Sequence, residues 1–349
     1  MKIAQVAPLY ESVPPKYYGG TERVVSYLTE ELVRQGHDVT LFASGDSVTR
    51  AHLAPACPSG LRLNRHCIDQ MAHHIGMLEM VFSRAEEFDV VHFHIDYMHF
   101  PFSKRQSIAS LTTLHGRLDL PDLVPLYRQF PDIPVVSISN AQRKPLPWIN
   151  WQSTVYHGLP DVYDLQLGGK YLAFLGRISP EKRLDRAIEI ARRAGLEIKI
   201  AAKVAKADQE YFKEIIKPML KDPRVDYVGE IGEREKNQFL GGALALLFPI
   251  DWPEPFGMVM IEAMACGTPV IAYPHGSTPE VIDDGVTGFL VNRIDDAVAA
   301  VERASTLSRS RCREVFEQRF SAERMARDYV TAYRRLLVGV AEPSLTSAA

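Results

Sequence analysis

The stretch EPFGMVMIE places two glutamates, Glu254 and Glu262, eight positions apart around a predicted turn. A helix is predicted to begin near Met258, and the first turn of a helix favours a bound anion through its free N–H groups and its dipole. Carboxylates accept hydrogen bonds from hydroxyl groups. The pattern therefore predicts a phosphate at the helix start, with Glu254 binding sugar hydroxyls and Glu262 binding a ribose diol. The alternative, a capping acid and a solvated helical acid, would suit two isolated glutamates better than it suits this stretch.

A second candidate stretch, FLGRISPEKR (174–183), carries two cations directly after another predicted strand. Arg177 lies at the end of that strand, and Lys182 lies at the start of the next predicted helix. The helix dipole disfavours cations at a helix N-terminus, so a bound diphosphate would supply the compensating negative charge. The alternative is ordinary solvated charge with Glu181 as the partner of Lys182, and the spacing leaves both open.

The first half of the chain contains a glycine pair in the loop PLYESVPPKYYGGTERV (8–24). Gly19 and Gly20 would let the backbone approach a ligand closely because neither has a side chain. The loop has no GxGxxG pattern, so the sequence does not support dinucleotide binding. The alternative is a flexible loop before a helix that Thr21 caps.

Histidines follow two other predicted strands of the first half, in VHFHIDYMH (91–99) and LTTLHGR (111–117). Strand periodicity places His92, His94 and Asp96 on one face, as in a zinc site. No cysteine partner or HExxH pattern accompanies them, so we predict a polar strand end and no metal. His115 taken alone is typical of a structural hydrogen-bonding residue.

Both halves of the chain alternate buried strands with amphipathic helices, which is typical of α/β proteins with parallel sheets. The region 50–88 predicts one helix near 67–86 preceded by a loop, and 157–170 has the composition of a linker. We therefore expect two Rossmann-like doubly wound domains facing a central cleft, with ligands beyond the carboxyl ends of the strands. The predicted strands are KIAQVAP, DVTLFA, 89–95, 110–115, 135–139 and 153–156 in the first half, and YLAFLGRI, EIKIAA, RVDYVG, ALALLFP, PVIAYP and GFLV in the second.

Charge and composition exclude several classes of protein. The net charge is −3, and the first 160 residues carry 14 Lys/Arg and 15 Asp/Glu, so neither half has the basic surface of a nucleic-acid-binding protein. The four cysteines are scattered and form no CxxC pair, which favours a reducing compartment. The N-terminus does not resemble a signal peptide, and no apolar run is long enough to span a membrane. We expect a cytoplasmic protein and leave peripheral membrane contact open.

With these motifs together, the chain resembles the retaining glycosyltransferases of family 4, which have the GT-B fold. The resemblance runs from GGTERVVSYLTEELVRQGHDVTLFA to the last predicted helix, SAERMARDYVTAYRRLL (321–337). Its most specific part is EPFGMVMIEAMACGTPVIA with GSTPEVIDDGVTGFLV (276–291), which matches the E-x7-E signature of the family. The variant PIDWPEPFG resembles the subgroup that includes avilamycin-type glycosyltransferases.

The resemblance implies a retaining transfer of a hexose from a nucleotide-diphosphate sugar to a hydroxyl acceptor, without a metal or other cofactor. It implies an N-terminal acceptor domain (1–158), a C-terminal donor domain (159–320), and a C-terminal helix (321–349, with the tail) that crosses back to the first domain. Arg177 and Lys182 would neutralise the leaving diphosphate, His115 would contact the transferred sugar, and Gly19 and Gly20 would close over phosphate and acceptor. The further donor contacts it implies are Glu230 and Ile231 for the base, Phe256, Gly257, Met258 and Val259 for sugar and diphosphate, and Glu254 and Glu262 as above.

The sequence leaves the acceptor and the exact donor open. By position alone, we expect the acceptor to contact Tyr17, Tyr18, His94, Asp96 and Arg117. A UDP-sugar is favoured over GDP-mannose. The chain departs from the usual family pattern at Ala202–Val204 and at His157-Gly158, and it is short in the first domain. Two alternatives are a nucleotide-sugar epimerase with the same architecture, which the E-x7-E stretch argues against, and a nucleotide-sugar-binding protein without turnover.

Overall fold

The computed structural model describes residues 1–16, 19–62 and 64–341, and for 339–341 it describes the backbone alone. The chain divides into two compact units. One comprises Met1–Gly158 together with the C-terminal segment that begins at Ala322, and the other comprises Leu159–Ser321. Within the described ranges, no helix is both long enough and apolar enough to cross a membrane.

The first unit is built on a parallel sheet of seven strands in the order β3-β2-β1-β4-β5-β6-β7. The order reverses direction between β1 and β4, which makes their carboxyl ends the place where ligands bind in sheets of this kind. Its elements are β1 (Lys2–Val6), α1 (Gly20–Arg34), β2 (Asp38–Ser44), β3 (His52–Cys57), α2 (Gln70–Ser83), β4 (Val90–Phe93), α3 (Phe100–Ser103), β5 (Ser110–Thr113), α4 (Leu123–Gln129), β6 (Val135–Ser137) and β7 (Trp151–Thr154).

Both faces of this sheet are buried, as the apolar strands require. Side chains alternate along a strand, so Phe42 packs in the cluster that contains residues of α2, whereas Leu41 packs with Val25 of α1. Short 3-10 turns cover Ala85–Glu87 and Ala141–Arg143.

The second unit has a parallel sheet of six strands in the order β10-β9-β8-β11-β12-β13. Its apolar core joins the strands to α5 and α11 through residues such as Phe174, Ile188 and Val301. The elements are β8 (Tyr171–Ile178), α5 (Leu184–Ala194), β9 (Ile198–Val204), α6 (Gln209–Tyr211), α7 (Lys217–Met219), β10 (Val225–Gly229), α8 (Glu233–Gly241), β11 (Ala243–Phe248), α9 (Met258–Ala265), β12 (Val270–Ala272), α10 (Thr278–Val281), β13 (Gly288–Leu290), α11 (Ile294–Ala304) and α12 (Arg309–Phe320), with 3-10 turns at Pro180–Lys182 and Lys206–Asp208 and a π-turn at Phe212–Ile216.

The last helix, α13 (Ala322–Ala341), belongs to the first unit and packs against α1. Tyr329 and Tyr333 on this helix are fully buried, and their hydroxyl groups hydrogen-bond to residues of the seven-stranded sheet. The helix therefore contributes polar groups to the interior of the first unit.

Most of the predicted strands and helices are confirmed, and three local predictions are wrong. The loop expected before the helix near 67–86 contains the edge strand β3, whose short sequence HLAPAC includes a proline and does not alternate between polar and apolar residues. Thr21 does not cap α1, because the helix begins one residue earlier, at Gly20. The helix predicted to begin near Lys182 starts only at Leu184, because Arg183 has φ 53° and pairs with Asp185, and a 3-10 turn precedes it.

Candidate active site

The EPFG turn leads from β11 into α9, and its backbone is held by a neighbouring loop. The carbonyl oxygen of Glu254 accepts a hydrogen bond from the amide of Ser277 at 2.9 Å, and the Ser277 hydroxyl donates to the carbonyl of Phe256 at 2.7 Å. Gly276, with φ +60°, must be glycine, since a Cβ there would lie 2.2 Å from the Glu254 carbonyl oxygen. The two segments of the family signature therefore fold against each other.

The start of α9 has the geometry predicted for an anion site. Gly257 precedes the helix in the left-handed region, with φ 79° and ψ 66°. The amides of Met258 and Val259 donate to no acceptor among the described residues. Such N–H groups at a helix start carry a partial positive charge and can bind a phosphate.

The carboxylate of Glu254 is nearly buried, with 8% of the residue exposed. It forms an ion pair with the ammonium group of Lys182 and accepts a hydrogen bond from Trp252 Nε1 at 2.9 Å. Lys182 Nζ also lies 5.1 Å from the centre of the Trp252 ring and 5.5 Å from that of Phe248. Lys182 and Glu254, which are 72 positions apart, are thus brought into direct contact.

Arg177 lies near the end of β8 and pairs with Glu181, with Asp208 as a second partner at 3.4 Å. The alternative pairing of Glu181 with Lys182 is therefore wrong, because Lys182 turns to Glu254 instead. Both cations predicted for the diphosphate are held by carboxylates.

Glu262 is the most deeply buried acid of the stretch, with 3% of the residue exposed. Its carboxylate accepts a hydrogen bond from Lys236 Nζ at 2.7 Å, and Lys236 also lies 3.2 Å from Glu233. Burial, together with the charge of Glu262, raises the pKa of the Cys266 thiol to about 12. Lys236 lies on α8, where its local sequence pattern gives no sign of a functional role.

Glu230 and Ile231 lie in the loop between β10 and α8, directly before the helix that carries Lys236. The amide of Gly232 donates to Glu235 Oε2 at 2.7 Å and so fixes the start of α8. Loops after parallel strands meet at one edge of the sheet. The loops after β8, β10 and β11 therefore place the predicted donor residues at the same edge of the second unit.

In the first unit, Gly19 and Gly20 lie at the start of α1, and Gly19 is the residue before the helix. Neighbouring Glu22 is buried, and this burial raises the pKa of its carboxyl group. Tyr17 and Tyr18, predicted to contact the acceptor, lie outside the described residues.

His115 follows β5 and His94 follows β4, and the two rings hydrogen-bond to each other. His94 Nδ1 lies 2.9 Å from His115 Nε2, and His94 Nε2 lies 2.8 Å from Gln5 Oε1. Only 2% of His94 is exposed and both ring nitrogens are bonded within the protein, which argues against its predicted contact with the acceptor. Burial lowers the pKa of His115 to about 3, so this ring is neutral.

The two other predicted acceptor residues lie in the loops after β4 and β5. Asp96 has φ 50° and accepts a hydrogen bond from the His115 backbone amide, and burial raises the pKa of its carboxyl group to about 6. Arg117 forms a bidentate ion pair with Asp119, in which Nε and Nη2 donate to the two carboxylate oxygens at 2.7 Å each. A polar cavity of about 370 Å³ lies elsewhere in this unit, and neither residue lines it.

The two histidines considered for a zinc site, His92 and His94, form hydrogen bonds to protein side chains through their ring nitrogens. His92 hydrogen-bonds Tyr333 and Thr113, each at 2.7 Å. Across the described part of the chain, no group of three His, Cys, Asp or Glu side chains is arranged to hold a metal ion.

Two family models match the chain. The model "Glycosyltransferase Family 4" matches residues 18–153, and "Glycosyl transferases group 1" matches residues 159–319. The chain belongs to glycosyltransferase family 4. The solved structure of AviGT4, a glycosyltransferase involved in avilamycin A biosynthesis, resembles it with 25% identity and a TM-score of 0.77, covering 97% of this chain and 98% of that one.

Two further solved structures resemble this family 4 protein in fold. Sucrose-phosphate synthase from Thermosynechococcus elongatus has 18% identity and a TM-score of 0.79, covering 97% of this chain and all of that one. HepE from Anabaena, in complex with UDP, has 18% identity and a TM-score of 0.70, covering 96% and 100%. Together with the two parallel sheets, these likenesses establish the GT-B fold.

The curated relatives match the family 4 chain over shorter stretches. An uncharacterized 41.2 kDa protein in the cps region of Klebsiella pneumoniae is 31% identical over 170 residues, which are 47% of this chain and 46% of that protein. D-inositol 3-phosphate glycosyltransferase of Mycobacterium leprae is 31% identical over 193 residues, 50% of this chain and 43% of that protein. The chain thus matches less than half the length of each.

Proposed function

We propose that this protein is a retaining glycosyltransferase that moves a hexose from a nucleotide-diphosphate sugar to a hydroxyl acceptor. The proposal assigns the donor to the unit Leu159–Ser321 and the acceptor to the unit that contains Met1–Gly158. A UDP-sugar is the favoured donor, with GDP-mannose next. The observation that carries the proposal is the start of α9, where unpaired amides lie between two buried, cation-paired carboxylates.

The arrangement around α9 suits the parts of a nucleotide-diphosphate sugar in order. The amides of Met258 and Val259 would bind phosphate oxygens, and Phe256 and Gly257 would bring backbone close to the sugar. Glu254 would accept hydrogen bonds from sugar hydroxyls and Glu262 from the ribose diol, because a carboxylate offers two oxygens to paired donors. Lys182 and Lys236 pair with these carboxylates and so hold them in position beside the helix start.

Glu230 and Ile231 would contact the base through their backbone groups, which follow β10 at the same sheet edge. The preference for UDP is supported by the HepE complex, which contains UDP in the same fold.

Arg177 and Lys182 would stabilise the negative charge that develops on the leaving diphosphate. Both already lie against carboxylates, so the chain positions them before the donor arrives. Preorganised charge of this kind lowers the barrier without reorganisation during the reaction. We expect Arg177→Ala to lower kcat on the order of 10²–10³-fold, as removal of one preorganised donor does.

In this mechanism the acceptor hydroxyl attacks from the face that the diphosphate leaves, and a phosphate oxygen takes its proton. His115 would contact the transferred sugar, and Asp96 and Arg117 remain the proposed acceptor contacts. The proposed reaction uses neither a protein nucleophile nor a metal ion, so sugar transfer should persist in the presence of a chelator.

The decisive experiment measures the thermal stability of the protein with UDP, GDP, ADP and TDP. Ligand at a hundred times its Kd stabilises the folded protein by about 2.7 kcal/mol. We expect a shift with UDP that Glu262→Ala weakens, whereas Glu302→Ala, an exposed acid on α11, keeps the shift of the wild type. No shift with any nucleotide would remove the basis for the donor assignment. A shift without transfer to any acceptor would favour a binding protein.

A further inference from the structure

A chain of side-chain hydrogen bonds runs through the interior of the first unit and ends at His115. Gln5 on β1 contacts His94 at 2.8 Å, and His94 contacts His115 at 2.9 Å. Gln5 is completely buried, and His94 nearly so. These contacts join three neighbouring strands of the sheet at their carboxyl ends.

The donors and acceptors along this chain fix where each proton lies. The Gln5 amide nitrogen donates to the Tyr333 hydroxyl at 3.1 Å, so its oxygen, Oε1, faces His94. Oε1 can only accept, which places the proton of His94 on Nε2. The Nδ1 atom of His94 is then an acceptor, and His115 must carry its proton on Nε2.

A second set of contacts holds Gln5 in this orientation. The Tyr333 hydroxyl lies 2.7 Å from His92 Nδ1 and can donate to it, and His92 Nε2 lies 2.7 Å from the Thr113 hydroxyl. Turning the Gln5 amide over would require the protons on these partners, and on His94 and His115, to move together. Buried networks of this kind favour one arrangement when every member is paired.

The remaining ring nitrogen of His115, Nδ1, has no hydrogen-bond partner among the residues that the structure describes, and His115 is partly exposed. The ring stacks on His157, with centres 5.4 Å apart and planes 20° apart. The hydrogen bond at Nε2 and the stacking on His157 therefore fix the His115 ring, while Nδ1 is left to bind a ligand.

We propose that Gln5 and His94 are positioning residues that keep His115 in the Nε2–H form, so that Nδ1 offers a ligand only a lone pair. The inference rests on the proposed function, in which His115 contacts the transferred sugar. A lone pair accepts a hydrogen bond from a sugar hydroxyl and is unfavourable beside a carboxylate, which has no proton to donate. The arrangement therefore favours a neutral hexose over a hexuronic acid in the donor.

The test is NMR spectroscopy of the full-length protein labelled with ¹⁵N in its histidine rings. Long-range ¹H–¹⁵N correlations show which ring nitrogen carries a proton, and the His115 signals are identified by their loss in His115→Gln. We expect the wild type to show His115 protonated at Nε2 and unprotonated at Nδ1. A proton on Nδ1 in the wild type would overturn the proposal by itself.

Two substitutions of His94 form a matched pair. In His94→Asn, the amide oxygen replaces Nδ1 and still accepts from His115, whereas in His94→Gln the amide replaces Nε2 and that contact is lost. We expect His94→Asn to keep the Nε2–H form and His94→Gln and Gln5→Met to show a mixture of both forms. An unchanged His115 spectrum in His94→Gln would contradict a positioning role, and if that variant does not fold, the wild-type spectrum decides.

Kinetics then connect the ring to the reaction. In His94→Gln, kcat/KM should fall roughly tenfold relative to His94→Asn, the size of one lost hydrogen bond. The spectrum is recorded without substrate, so it separates the two proposals. An Nε2–H ring in a protein that transfers no sugar would refute the proposed function and leave the arrangement of His115 standing.

Discussion

The pair of Lys236 and Glu262 gives the sharpest prediction about the donor unit. The Glu262 side chain is 4% exposed and the Lys236 side chain 14%. Within the described residues, Lys236 is the only cation that pairs with Glu262, whereas Lys236 has a second partner in Glu233 at 3.2 Å. Removing the lysine should therefore cost more stability than neutralising the glutamate.

We expect Lys236→Met to lower the free energy of unfolding by about 3 kcal/mol, because it leaves a buried carboxylate without its cation. For a cooperative unit of 150–250 residues, this corresponds to a fall in Tm of roughly 6–12 °C. Glu262→Gln should cost about 1–2 kcal/mol, since Lys236 keeps Glu233 and some contact with water. The double variant should recover part of the loss.

The assay is urea unfolding of the nucleotide-free protein, with the two single variants and the double variant forming a double-mutant cycle. Lys199→Met serves as the control, because Lys199 has partners at 3.7 Å and a side chain that is 32% exposed. That substitution should cost about 1 kcal/mol or less. If Lys236→Met is as mild as this control, or milder than Glu262→Gln, the argument from burial and pairing is wrong.

Three further outcomes are expected. Gly257→Ala should lower the free energy of unfolding by about 1–2 kcal/mol, the cost of a left-handed φ of +79° for a residue with a side chain. The nearest clash, with Met260 Cε at 2.8 Å, adds little because it involves the movable end of a side chain. Gly276→Ala should cost more, roughly 3 kcal/mol, since its Cβ meets the Glu254 carbonyl at 2.2 Å, and urea unfolding of both variants would show whether this order holds. Burial raises the pKa of Asp96 to about 6, so the folded protein binds a proton more tightly than the unfolded chain does. The free energy of unfolding should therefore be highest below pH 4 and should fall by about 1–2 kcal/mol as the pH rises to 6, a size that allows for a half-buried group. Asp96→Asn should remove this slope, and an unchanged dependence of unfolding on pH would contradict the assignment.

The arrangement of the histidines shows where reasoning from sequence alone goes wrong. Strand β4 ends at Phe93, so the strand periodicity expected for His92, His94 and Asp96 holds only for His92, and Asp96 has φ 50°. Their partners, however, come from distant parts of the chain: Gln5 on β1, Thr113 on β5 and Tyr333 on α13. A hydrogen bond across 328 positions, such as that between Gln5 and Tyr333, leaves no periodic signal in either segment.

By itself, the sequence determined the α/β class, most strands and helices, and the turn that precedes α9. These features depend on local chemistry: apolar runs favour buried parallel strands, amphipathic runs favour helices, and Gly257 allows the left-handed turn. The edge strand β3 was not predicted because its six residues, HLAPAC, show no polar–apolar alternation and include a proline, which an edge strand tolerates.

Only the tertiary structure decided which charges and rings meet. Lys182 pairs with Glu254 rather than with Glu181, and Lys236 pairs with Glu262, because parallel strands bring their following loops to one edge of the sheet. Ion pairs and hydrogen bonds form over about 3 Å, and the distance between two groups depends on how the strands are ordered, not on their separation along the chain. The candidate site residues could therefore be predicted from the sequence, whereas their partners and protonation states could be assigned only from the fold.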